Sequence, residues 1–122
     1  MTSRAWVALV VLVLVAFAIT PGQLLNAQTS QTITLSYNGG ACQQNGSSSQ
    51  VTVSPTTSVT YQPQNPGNPF QVSFSSCPFA TCPVTAATGA QTPTGTGTFN
   101  YASVTINGQT CNNPGALGLR VK

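Results

Sequence analysis

Beyond residue 27 the chain alternates apolar and polar side chains with a period of two. In Gln31–Tyr37 the odd positions Ile33, Leu35 and Tyr37 are apolar, while Thr32, Thr34 and Ser36 between them are polar. The alternation recurs at Val51 and Val53, at Val59 and Tyr61, at Phe70, Val72 and Phe74, at Phe99 and Tyr101, and at Leu117, Leu119 and Val121. Successive side chains of a strand point to opposite faces, so each segment predicts a strand with one face for a core. Good helix formers such as Leu, Lys, Glu, Arg and Met are scarce there, and no 3.6-residue apolar period survives the Gly and Pro punctuation. Six or seven short strands separated by turns predict an all-β domain, a small Greek-key β-sandwich or barrel.

The connections agree. Asn38-Gly39-Gly40, Asn45-Gly46 and Asn107-Gly108 are turn sequences, because Asn and Gly tolerate positive φ. The segment Val104–Thr110, centred on Asn107-Gly108, is the best local hairpin. Gln62–Pro69 carries three prolines and predicts a stiff surface loop between two strands. Ala86–Gly97, rich in Ala, Thr and Gly, reads as a long flexible loop.

Residues 1–27 read as a secretory signal peptide. Arg4 supplies a positive start, Ala5–Ile19 is an apolar run short for a membrane span of about 20 residues, and Pro21-Gly22 breaks it before a small residue at Ala27. The alternative is an uncleaved anchor, which would be the chain's one association with a membrane. No cysteine directly follows the apolar run, so no lipid-attachment site is expected. Residues 28–122 then form a single small all-β domain, secreted, periplasmic or on the cell surface. A domain this size buries only about 60–65% of its unfolded surface and gains from a covalent staple.

Four cysteines in an exported chain predict two disulfides. Three pairings are possible. Cys77 and Cys82 are close enough to close a small loop stiffened by Pro78, which would leave Cys42 to pair with Cys111 across the domain. A redox role for Cys77 and Cys82 is disfavoured, because their C-x4-C spacing is not the C-x-x-C of thiol oxidoreductases. A four-thiolate zinc site would need thiols that an oxidising compartment consumes.

Charge changes the picture most. The chain has no Asp, Glu or His, and beyond the leader its only charged side chains are Arg120 and Lys122. Two terminal cations are no footprint for nucleic acid. General acid–base catalysis, a carboxylate pair for glycoside hydrolysis, and carboxylate sites for calcium or magnesium all lack their residues. Ser and Thr abound, but without a base a hydroxyl is a poor nucleophile. No residue is therefore a candidate for catalysis and none for metal binding, and no cofactor is expected. Tyr37, Tyr61, Phe79 and Tyr101 are candidates to line a groove, although core or surface packing suits each of them better.

The segment Phe99-Asn100-Tyr101, with Cys111-Asn112-Asn113-Pro114-Gly115-Ala116-Leu117-Gly118-Leu119-Arg120-Val121, resembles the end of the cupredoxins, the small blue-copper β-sandwich family. There an F-x-Y strand precedes a Cys, a His two or three residues on, a Pro-Gly or similar turn, a Met and a G-x-V-x-V strand. The resemblance implies that Cys111 takes the place of the copper thiolate, Asn113 or Asn112 that of the loop His, and Leu117 that of the axial Met. It implies the scaffold without the chemistry: blue copper needs two imidazoles and a thiolate, this chain has no His, and its one Met is Met1. The chain also departs from the family at Gly108, three residues before Cys111, where a longer strand is usual. An immunoglobulin-like sandwich is the other architecture compatible with the pattern.

The function expected from these residues is non-catalytic: an exported domain with a structural or interaction role, whose partner is an extracellular or envelope protein or a glycan. A subunit of a surface fibre or adhesive layer is the alternative, because uncharged strands leave their edges without charged guards. An electron-transfer copper protein is the remote one.

Composition alone yields a prediction. Stability depends on pH only where folded and unfolded chains bind different numbers of protons. With no carboxylate side chain and no imidazole, only the chain termini titrate between about pH 3 and 8. Urea midpoints at pH 3, 5 and 7 are expected to coincide. A loss exceeding about 1.5 kcal/mol between pH 7 and 3 would contradict this.

Overall fold

The computed structural model describes residues 29–122; the expected leader, residues 1–27, lies outside the described residues. The described chain is all-β, a small sandwich with one single-turn 3-10 helix at Pro114–Ala116. Its strands are β1 (Ser30–Asn38), β2 (Ala41–Gln44), β3 (Val51–Val53), β4 (Ser58–Pro63), β5 (Phe70–Phe74), β6 (Val84–Thr85), β7 (Gly97–Ile106), β8 (Gln109–Thr110) and β9 (Gly118–Val121).

The first sheet has the order β2-β1-β4. β1 and β2 form a hairpin whose turn, Gly39-Gly40, has φ of 63° and 97°, a conformation that favours glycine. β4 returns parallel to β1, from Ser30 opposite Ser58 to Leu35 opposite Pro63. The second sheet has the order β3-β9-β7-β5-β6, with β8 folded back on β7 through Asn107-Gly108, φ 51° and 78°. β3 lies parallel to β9. Consecutive strands β3 and β4 therefore belong to different sheets, and the chain crosses from one layer to the other at Ser54–Thr57.

The alternating positions meet between the layers. Ile33, Leu35, Val59 and Tyr61 face Val72, Tyr101, Val104 and Leu119 in one continuous buried cluster. β7 is a single strand where the pattern suggested two segments. Ser73 pairs with Ser103 but Phe74 with Tyr101, so Ala102 is an extra residue on β7. The bulge shifts the parity of the buried face from odd to even: Tyr101 is buried on one side of it, Val104 and Ile106 on the other. Leu117 is buried as expected but sits just outside β9, at the end of the 3-10 turn. Gly118 follows because a Cβ there would lie 2.9 Å from the carbonyl oxygen of Phe99.

Ala86–Gly97 differs from the expected flexible loop. Gln91 exchanges backbone hydrogen bonds with Val59, at 2.8 and 2.9 Å, and its side-chain amide bonds the N–H and C=O of Thr81, at 3.1 and 3.0 Å. The Thr94 N–H donates to the carbonyl of Pro78 at 2.8 Å, and Pro93 is buried. The segment is a tethered cover over the outer edge of β4. Composition missed this because each tether pairs residues distant in sequence.

Both disulfides join the pairs favoured by spacing, Cys42–Cys111 and Cys77–Cys82. The first closes a loop of sequence separation 69, the second one of 5. On the chain-entropy model these contribute about 4 and about 2 kcal/mol. Replacing Cys42 and Cys111 together by Ala is therefore expected to lower the melting temperature by well over ten degrees, and the Cys77/Cys82 double replacement by less. Peptide mapping without reduction checks the pairing, and a Cys42–Cys77 bridge would refute it.

Candidate functional site

The segment singled out by sequence is the connection from β8 to β9, and it docks on the outer edge of β2. Cys111 is bonded to Cys42. The Cys42 N–H donates to Asn113 Oδ1 at 2.7 Å, and Asn113 Nδ2 donates back to the Cys42 carbonyl at 3.0 Å. The Asn113 side chain thus imitates the peptide group of a neighbouring strand. One residue away, the Asn112 N–H donates to the Gly40 carbonyl at 2.8 Å. Leu117 is fully buried in the core. Of the three positions that resemble a copper loop, Cys111 and Asn113 meet at Cys42 and Leu117 lies in the core: a disulfide sulfur, an amide bonded to backbone and an aliphatic core residue. All four cysteines are in disulfides, and among the described residues no group of three or more His, Cys, Asp or Glu exists that would hold a metal.

Beneath this loop lies a polar chain that sequence reasoning missed. Gln44 follows Cys42 on the inward face of β2 and is completely buried. Its Nε2 donates to the carbonyls of Ser49 and Gly118, both at 2.8 Å, and its Oε1 accepts from the Tyr101 hydroxyl at 2.6 Å. The Tyr101 proton is committed to Gln44, so the Tyr61 hydroxyl, 2.8 Å away, donates to Tyr101. The chain links β2, β4, β7 and the start of β9. Among the described residues no buried side-chain nitrogen or oxygen lacks a hydrogen bond, as buried polar atoms require. The available signal was the Cys42-x-Gln44 alternation, which places a polar residue at a core position.

Three of the candidate groove aromatics belong to the core instead. Tyr61, Phe79 and Tyr101 are buried and, with Phe74, meet edge to face at centroid separations of 5.1–6.5 Å. The Cys77–Cys82 loop carries Phe79 into this cluster. Only Tyr37 remains partly exposed. It stands opposite Cys42 at the end of β1, where two adjoining depressions of about 130 and about 270 Å³ share Ser36, Tyr37 and Gln64.

Burial holds the hydroxyls of Tyr61 and Tyr101 well above the ordinary tyrosine range, and for Tyr101 the neighbouring Tyr61 adds to the effect. In the unfolded chain both would ionise near pH 10. Below that pH neither state is ionised and stability is unaffected. Above it the unfolded chain has lost protons that the folded one keeps, so stability falls as pH rises. The expected slope is about 1.4 kcal/mol per pH unit for each tyrosine, near 3 for the pair. Urea midpoints at pH 8, 9.5 and 11 measure it. A profile as flat above pH 10 as below would contradict the burial of both hydroxyls.

No protein-family model, no curated protein and no solved structure matches this chain.

Proposed function

We propose that this chain is an exported, non-catalytic β-sandwich that acts as an interaction domain at the cell surface or outside, on a cupredoxin-like scaffold without copper. One observation carries the reading: the loop that would hold reactive groups has its Cys111 and Asn113 both bound to Cys42. The two disulfides are compatible with an oxidising extracellular location. A fibre subunit joined by strand addition draws less support from the edges of the first sheet. Asn113 covers β2, Gln91 bonds Val59 on β4, and β4 ends on Pro63, which has no N–H to donate.

Thiol trapping in intact cells tests the reading. The protein should be recovered outside the cytoplasm, without residues 1–27 and without free thiols. Copper(II) added to the oxidised protein should produce no intense visible copper–thiolate absorption. A reduced cytoplasmic protein, or a stoichiometric coloured copper complex, would overturn it.

A further inference from the structure

Among the side-chain amides of the described residues, Gln31, Gln44, Asn45, Gln91 and Asn113 bond backbone groups of their own chain, and Gln50, Gln62, Gln71 and Asn100 bond side chains. Those that make no hydrogen bond within the chain gather at one end of the sandwich, around Tyr37. Gln64, Asn65 and Asn68 come from the connection between β4 and β5, and Asn107 and Gln109 from the β7–β8 hairpin; all five line the smaller depression. Asn38 and Gln43 line the larger one. Asn112 lies over Gly40, next to the Tyr37 hydroxyl.

We propose that this amide-rich end, centred on Tyr37, binds a neutral carbohydrate. The inference rests on the reading of the chain as an exported interaction domain and names the ligand class. No charged side chain lines either depression, so a charged ligand would find no counter-ion. An amide presents donors and an acceptor in one plane. That matches vicinal sugar hydroxyls, each of which donates and accepts. The partly exposed Tyr37 ring, backed by the buried Leu35 and Ile106, supplies the apolar surface against which the C–H face of a sugar ring packs. Both depressions are smaller than the roughly 300–1,000 Å³ of a site that engulfs its ligand. The occupant is therefore a small unit, or the end of a longer glycan lying along the surface. A peptide added as a strand fits less well, because Asn113 already occupies the neighbouring edge at Cys42.

The test is a titration of the oxidised, leader-processed protein, followed by amide NMR shifts. The probes are gluco-, manno-, galacto- and chito-oligosaccharides, with a sulfated glycan and a neutral hexapeptide as comparators. At least one neutral oligosaccharide class should bind with a Kd of about 1 mM or tighter, and the shifts should centre on Tyr37, Gln64, Asn68 and Gln109. Tyr37→Ala should abolish binding. The double variant Gln64→Ala/Gln109→Ala changes only exposed side chains, so its melting temperature should be unchanged while its affinity falls at least about tenfold, the scale of one lost interaction. No shift with any neutral glycan, shifts elsewhere, preference for the sulfated glycan or the peptide, or full affinity in the double variant would each overturn the proposal. An exported, fully oxidised protein that binds no sugar would remove this inference alone and leave the interaction-domain reading standing.

Discussion

The structure depends on what is fastened to β2. At Cys42 three bonds meet: a disulfide to Cys111 and two hydrogen bonds to the Asn113 amide. Two residues on, Gln44 reaches through the core to Gly118 and Tyr101. Together they hold the β8–β9 connection against the edge of the opposite sheet and set the spacing of the two layers. An unmade hydrogen bond from a buried amide costs about 1–3 kcal/mol, a large share of the stability of a domain this small. The same fastening sets the position of Tyr37, which pairs with Cys42 across the hairpin.

Near-absence of charge shapes the remainder. A protein with carboxylates and lysines can guard strand edges with like charges and pair its buried polar groups as ions. Here amides take over those tasks. Asn113 and Gln91 each bond both the N–H and the C=O of one residue, at Cys42 and Thr81. A neutral amide costs less to bury than an ion and satisfies a peptide group with its own geometry. Amides that make no hydrogen bond within the chain collect at one end, where the surface is polar without being charged. The division of one residue type between inward fastening and outward display links the fold to the proposed function.

Alternation with period two was enough to read the longer strands, most of their inward faces and the all-β class, because side-chain direction in a strand is a local property of the backbone. Asn-Gly and Gly-Gly pairs were enough to place the tight turns at 38–41, 45–46 and 107–108, because positive φ is a local demand too. Cysteine spacing made the short Cys77–Cys82 loop plausible and left the long bridge by subtraction. What sequence could not show was which strands pair and what the polar side chains do once they have paired. The parallel partners of β1 and β3, the bulge at Ala102 that changes parity within β7, and the Gln91 bond that turns an apparent loop into an edge cover all join residues far apart in the chain. Gln44 is a core residue only because Gly118 and Tyr101 arrive beside it. Asn113 is a strand surrogate only because β2 lies within reach. Local composition determined the turns and the longer strands. Tertiary structure alone decided which amides were consumed by the fold and which were left facing solvent around Tyr37, since a hydrogen bond between residues 71 positions apart exists only after the chain has closed.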